Sequence, residues 1–556
     1  MLPPVLRINR LDFDTEFASQ SERLLRKHWH ISIFSVMAEN NQTSGSEEQV
    51  DLAIVGGGPT GLLSALLASR LGLSVRVIDA KPGPLEVGRA DALNARTQQY
   101  LEVVGILDEL LPLGIKCNTS STFSEGDFKS RQSHWWTSLQ HCHRPNFLMI
   151  GQSVVEQVLT SQLDVPVYYQ EKVISISETE EYVTLSTDSG RKVRSKYAIA
   201  ADGARSTVRR MLDISFTGTK PEMVWAVLDT FIDTDFPVCP EIITFQLRGQ
   251  SRVSWIPREG GMARFYVLLD GEITQKRTED SIREHMAPHR VDFVKTEWFS
   301  TFDVKERIAS TFVSNQGTGR IILAGDAAHV HSVNGGQGLN TGIADAFALS
   351  WRVVTAIKNA GLTPDAALKL IQSYDTERRI VAQEVIDVAA ALVRDTANTA
   401  KQYVSTIEKN AGYITGMGVS YNGVGSKLIT ESEQGIWKAG QRCPDIWLTN
   451  ARTNETMRIY SMVQYGRYLV LSIGTQWDTE AWFKDICSYL TLVPTSSSKV
   501  GTDSRSHGFS DENNTFSSDL VDIEDDFVVV VRPDMYIGYV GEGVGWRTYL
   551  EQLYVP

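Results

Sequence analysis

The sequence predicts an α/β protein: a Rossmann-type dinucleotide-binding domain, a mixed β-sheet domain interleaved into it, and a further β-rich domain at the C-terminus. Three observations carry that expectation. Residues 51–79 read as strand, glycine turn, helix and strand. Residues 222–300 change to two-residue apolar/polar alternation. The stretch from Gly319 runs strand, Gly325-Asp326, loop and long helix, and alternation returns from Gly440.

In the first of these, the apolar run 52–55 has the length of a buried strand, 62–71 continues as an apolar helix, and 74–78 supplies a second strand. Gly56 makes the turn, Gly58 lets the backbone approach a pyrophosphate, and Gly61 lets helix and strand pack closely. Asp79 ends the second strand, where an acid accepts both ribose hydroxyls. A glycine-rich turn alone is common. Here strand, helix, second strand and terminal acid fall in register, and a plain turn leaves Asp79 unexplained. The unit points to a bound dinucleotide and leaves FAD and NAD open.

Composition narrows the rest. A net charge of −13 argues against nucleic-acid binding, and no apolar run is long enough to span a bilayer, so a cytoplasmic protein is expected. Five cysteines, at 117, 142, 239, 443 and 487, include no Cys-x-x-Cys pair, which points away from a disulfide framework or a zinc site. His141-Cys142-His143 reads as a surface loop. Asp326, His329 and His331 lack a further ligand at useful spacing, so no metal is expected.

Along the chain, residues 1–48 read as a poorly structured extension whose basic residues are interrupted by Asp12, Asp14, Glu16 and Glu22, unlike a targeting helix; Met37 offers an alternative start. Residues 49–221 form the first part of the dinucleotide domain. Within it Asp91 stands either as an N-cap or as a chemical group, Gln152 sits at a strand-to-helix junction, and 165–200 read as a small antiparallel sheet. That sheet ends in Asp202-Gly203, at the carboxyl end of a strand, where open α/β sheets bind ligands. Residues 222–300 are the sheet domain, and 301–410 return to the first domain, with a helix from near Gly338 whose free N–H groups face back toward Asp326. Residues 411–439 are a linker, and 440–556 the last domain, with a flexible insert at 495–519.

Gly56-x-Gly58-x-x-Gly61, Asp202-Gly203 and Gly325-Asp326, followed by Gly335-Gly-Gln-Gly-Leu-Asn-Thr-Gly-Ile343, together resemble the single-component flavoprotein monooxygenases typified by phenol and para-hydroxybenzoate hydroxylases. The resemblance covers about 50–556, since Gly440-Gln-Arg-Cys-Pro-Asp445 and Val531-Arg-Pro-Asp534 are similar to the thioredoxin-like domain of the phenol hydroxylase branch. It implies FAD, with Asp79 on the adenosine ribose, Arg96 and Gln152 near the pyrophosphate or ribityl, Asp326 on the ribityl, and Gly338, Leu339 and Asn340 at the pyrimidine edge. Asp202 and Gly203 are associated there with both FAD and NADPH or NADH. Asp91, Arg258 and Tyr266 match active-site residues, so the implied reaction is hydroxylation of a phenolic or polyketide-like aromatic by O2 through a flavin C4a-hydroperoxide.

The same resemblance leaves room for a homodimer and places the chain in secondary metabolism. Val333 stands where the family usually has proline, which opens Baeyer–Villiger or epoxidising chemistry as an alternative. A non-catalytic flavin-fold binding protein is a rival of another class, which Asp79, Asp202 and Asp326 oppose. A flavin halogenase is weaker, because only Trp255-Ile-Pro257 of its signature occurs.

Overall fold

The computed structural model describes residues 47–132, 136, 139–221, 223–237, 241–247, 250–332, 336–396, 400–474, 483–495 and 514–555. The N-terminal extension, apart from Glu47 and Glu48, and Val333 lie outside the described residues.

The apolar strand Glu48–Val55 lies in a seven-stranded sheet, parallel to Val75–Ile78 on one side and to Lys192–Ala200 on the other. Lys192–Ala200 is shared: its first half pairs antiparallel with Val183–Thr187, and its last residues pair parallel with Ile321–Leu323. The antiparallel strands expected as a small sheet at 165–200 are continuous with the main one, because a single nine-residue strand has edges enough for both. Four parallel strands end level, with Val55 opposite both Ile78 and Ala200, and Ala200 opposite Leu323. The helix Pro59–Arg70 and the long helix Gln337–Lys358 pack against each other on this sheet, and Leu52, Ile54, Ala65, Ile199, Ile322 and Leu349 are fully buried between them.

A second seven-stranded sheet runs in the order Val291–Asp303, Val224–Thr234, Ala263–Leu268, Gln250–Pro257, Ile242–Leu247, Ser120–Ser124, Asp127–Gln132. It is wider than the stretch 222–300, since Ser120–Ser124 joins parallel to Ile242–Leu247 from the first part of the chain. A small three-stranded sheet, Ala92–Leu93, Phe147–Met149 and Ile115–Cys117, sits where Asp91 enters.

The C-terminal sheet is ordered Thr456–Arg458, Trp447–Asn450, Thr515–Ser518, Cys487–Pro494, Tyr468–Ile473, Phe527–Val531, Ile537–Gly541, and the helix Gly545–Glu551 follows it. Thr515–Ser518 falls within the expected insert but forms a strand parallel to Cys487–Pro494, anchored by buried Phe516, while residues 496–513 lie outside the described residues. No described helix is long and apolar enough to cross a membrane.

Candidate functional site

The level ends of the four parallel strands gather most of the expected cofactor residues. One residue beyond the strands lie Gly56, Asp79, Ala201 and Ala324, each donating its N–H to a neighbouring strand. The next residues turn away from the sheet and carry Asp202, Gly203, Gly325 and Asp326.

The three glycines play separable parts. Gly56 has φ +112°, and a Cβ there would stand 2.2 Å from the Ala201 carbonyl oxygen; a Cβ on Gly61 would stand 1.9 Å from the Gly56 carbonyl oxygen. Around Gly58, the N-cap of Pro59–Arg70, nothing lies within 4 Å of that position. The chain itself therefore requires two of the glycines, whereas the third leaves open space at a helix N-terminus, where N–H groups and the helix dipole favour phosphate.

Asp79 is buried and oriented by the backbone: Gly57 N–H donates to Oδ2 at 2.6 Å and Lys81 N–H to Oδ1 at 2.7 Å. Asp202 Oδ2 accepts from Thr207 and Val208 N–H at 2.7 and 3.1 Å, in the first turn of the helix Thr207–Met211 that Ser206 caps, and its buried Oδ1 has no protein partner. Beside it Gly203, at φ +81°, has open space around its Cβ position.

Asp326 is solvent-exposed although protein surrounds it. That enclosure raises its carboxyl above the usual value, with His329 and Arg89 pulling it down and Asp345 adding to the rise. The turn carrying it is fixed by Asp345, which no local motif disclosed. Its Oδ2 accepts from Gly325 N–H at 2.9 Å and from His329 Nε2 at 2.8 Å, and its Oδ1 from Arg378 Nε at 2.7 Å. Burial works against ionisation of Asp345, but Arg378 and His329 outweigh it and hold the carboxyl below its ordinary range. An acid among Ile343, Ala346 and Phe347 on a buried helix was the available signal.

The long helix starts at Gln337, with Gly336 as a left-handed N-cap at φ +60°. Gly338 is open, its nearest neighbour being His331 Cε1 at 3.9 Å from the Cβ position. Asn340 bridges the helix to the strand Ala92–Leu93 region, accepting from Asn94 N–H at 2.8 Å and donating to the Ala92 carbonyl at 3.0 Å. Leu339 is buried in the core between these helices. Asn94, not Asp91, caps the helix Ala95–Val103, its side chain accepting from Thr97 N–H at 2.9 Å, because that helix begins three residues later than an Asp91 cap requires.

Asp91 is thereby released for other contacts. Tyr266 Oη donates to Asp91 Oδ2 at 3.0 Å, and Arg264 Nη1 lies 3.4 Å from the same oxygen. Arg264 is fully buried, clasps Asp229 with Nε and Nη2 at 2.6 Å each, and donates to the Arg89 carbonyl, holding Arg89 at φ +66°. Arg258 is not brought to Asp91. It pairs with Glu259 at 2.6 Å and approaches the other side of Asp229 at 3.6 Å, while Glu259 accepts from Gly151 N–H. Gln152 donates to Glu156 at 2.8 Å at the start of its helix. Arg96 also stands apart, its guanidinium among Tyr100, Tyr460 and Tyr536 on the side of the C-terminal sheet. Among the described residues no cluster of ligands suits a metal ion.

His331 is buried beside Gly338, its Nδ1 donating to the Ser332 carbonyl at 3.0 Å, and burial pushes it down to about 4. The unfolded chain, with a histidine near 6.5, thus binds the extra proton between pH 6.5 and 4, so stability falls as pH drops through that window. The expected loss is roughly 3 kcal/mol by pH 4. Denaturation of the His331→Gln variant across that range should show a pH dependence shallower by this amount; equal slopes would remove His331 as the cause.

Residues 49–389 match the family model described as an FAD binding domain. The phenol 2-monooxygenase of Aspergillus fumigatus is 30% identical over 363 residues, covering 62% of this chain and 60% of that protein. An FAD-dependent monooxygenase of Aspergillus thermomutatus is 27% identical over 460 residues, 75% of this chain and 76% of its own. The solved anhydrotetracycline hydroxylase of Streptomyces rimosus shares the fold, with a TM-score of 0.70 at 22% identity over 91% of this chain and 99% of that one.

Proposed function

Since this chain belongs to the FAD binding domain family, we propose that it is an FAD-dependent monooxygenase that uses NADPH or NADH and O2 to hydroxylate a phenolic or polyketide-like aromatic. The observation that carries this reading is the convergence of Gly58, Asp79, Asp202 and Asp326 on the level ends of four parallel strands. Bound FAD supplies reduction by the nicotinamide nucleotide and activation of O2 for transfer of one oxygen atom.

The residues fit that group. Gly58 leaves room for the pyrophosphate, Asp79 is held to receive the ribose hydroxyls, and accessible Asp326 reaches for the ribityl chain. The N-terminus of the long helix, at Gly338, Leu339 and Asn340, stabilises negative charge at the flavin's pyrimidine edge. Tyr266, whose O–H is donated to Asp91, presents an acceptor lone pair, so a phenol O–H against it has a route through Tyr266 to Asp91. The likeness to a phenol 2-monooxygenase supports an aromatic substrate here. The order of the four strands Cys487–Pro494, Tyr468–Ile473, Phe527–Val531 and Ile537–Gly541 supports a thioredoxin-like reading of the C-terminal unit.

A panel of phenols and polyketide aromatics, scored for stimulated NADPH oxidation and for a product heavier by one oxygen atom, tests the activity. A colourless protein that takes up no FAD and never oxidises NADPH or NADH would overturn it. The glycines give a sharper test of the cofactor site. Gly58→Ala meets no protein atom and is expected to fold normally while weakening FAD at least about tenfold, since the methyl stands where phosphate approaches. Gly61→Ala drives a Cβ into the Gly56 carbonyl and is expected to destabilise the chain with or without FAD. Equal FAD affinity of Gly58→Ala and the native protein would place the pyrophosphate elsewhere.

A further inference from the structure

Arg96 is a buried guanidinium without a carboxylate. It is 2% exposed, and among the described residues no acid lies within ion-pair distance of it. Its Nη1 donates to Gln99 Oε1 and Tyr460 Oη, both at 2.9 Å, while Nε and Nη2 are buried with no protein acceptor. Rings of Tyr100, Tyr536 and Tyr460 surround the charge at 4.5, 5.2 and 5.8 Å. Cation–π contacts of this kind contribute about 0.5–2 kcal/mol each, against several kcal/mol for taking a charge out of water.

Arg96 lines a cavity of about 30 Å3 between the helix Ala95–Val103, the first turns of Gln337–Lys358, the helix Ala366–Thr396 and the segment near Gly416. Gln337, also 2% exposed, lines the same cavity with both amide atoms unpartnered. So does Arg378, whose Nε is committed to Asp345. Two arginines thus line one small space, and a single carboxylate, already shared with His329 and Gly325, balances one of them. The tyrosines do not supply the missing charge. Burial holds Tyr536 above its ordinary value and pushes Tyr421, which accepts from Arg378, up to about 12, so both stay protonated at neutral pH.

We propose that this cavity is a binding site for a small monovalent anion of halide size, held by Arg96 Nε and Nη2 and by the Gln337 amide. A space of this size takes one or two water-sized occupants, which suits chloride or bromide better than the larger acetate, sulfate or phosphate. The anion fastens two elements to each other: the helix that Asn94 caps, through Arg96, and the start of the long helix, through Gln337. It is a structural ligand, independent of which substrate the protein takes.

The test uses the FAD-loaded full chain. Its thermal midpoint, measured in sodium chloride and bromide against sodium acetate at equal ionic strength, is expected to rise with the logarithm of halide concentration and to stay flat in acetate. Arg96→Gln should abolish the difference between the salts. Crystals soaked in bromide should show an anomalous peak at hydrogen-bond distance from Arg96, a readout that stands even where the variant fails to fold. Identical midpoints in halide and acetate, or water density at Arg96 with no anomalous signal, would overturn the proposal.

Discussion

Replacing Arg532 by methionine is expected to destabilise the protein by about 3–5 kcal/mol, the range found when one partner of a buried ion cluster is removed. Arg532 donates to both oxygens of Glu377, at 2.7 and 2.8 Å, and to both oxygens of Asp534, at 3.1 and 2.6 Å. Arg352 reaches the same two acids at 2.6 and 3.0 Å. All four side chains are at most 2% exposed, so none recovers water when its partner is lost. Two positive and two negative charges balance, and removal of one leaves a buried carboxylate pair facing a single guanidinium.

The cluster also joins elements far apart in sequence: Arg352 stands on the long helix, Glu377 on Ala366–Thr396, and Arg532 and Asp534 just beyond the strand Phe527–Val531. Its loss should therefore lower the thermal midpoint. Arg532→Lys should recover only part of the stability, because an ammonium lacks the planar fork that serves both acids. The pH sign follows from Asp534, which burial would raise but Arg532 and Arg352 bring down to about 2. The pairing is complete above the usual carboxylate range and is lost only as pH falls toward 2. A midpoint unchanged in Arg532→Met would show that the C-terminal sheet is held by its apolar face alone.

What the sequence disclosed divides by the distance over which information must travel. The βαβ unit was legible because its logic is local: Gly56, Gly58, Gly61 and Asp79 lie within one short stretch, and each answers to a turn, an approach or a strand end. Asp202 and Asp326 were legible as acids just past apolar strands, although only the register of Ala200 with Val55 and Leu323 shows that they share an edge. Partnerships were not legible. Asp229 and Arg264 stand on adjacent antiparallel strands, paired in register, and their charges inside apolar runs were the only sign that they satisfy each other. The pattern matching Arg258 with Tyr266 fixed two positions on one hairpin but not the neighbours of each guanidinium. Strand alternation puts Arg264 and Tyr266 on the same face, and that parity favours Arg264 as the partner of Asp91. Buried Asp345 escaped for the same reason, since Arg378 lies on another helix.

The other large effect is expected at Tyr266 and Asp91. If a substrate phenol loses its proton through Tyr266 to Asp91, Tyr266→Phe breaks the first link and Asp91→Asn the last, and each should slow oxygenation by about a hundredfold or more. Burial and the Asp91 charge hold the Tyr266 hydroxyl above its ordinary value, so it passes a proton on rather than acting as a free base. The two substitutions act on one chain of hydrogen bonds, and the double variant should be little slower than either single one. Neither residue lies at the strand ends that gather the proposed cofactor residues, so both variants should keep FAD absorbance and continue to oxidise NADPH or NADH, with product falling relative to the nucleotide consumed. Arg264→Met serves as the control for position. Arg264 acts through Asp91 and Asp229, so its loss should slow oxygenation in the native background but add little once Asp91 is Asn. Rates that multiply across the three variants, or unchanged oxygenation in Tyr266→Phe and Asp91→Asn alike, would remove this proton route and leave the tyrosine as a packed wall of the cleft.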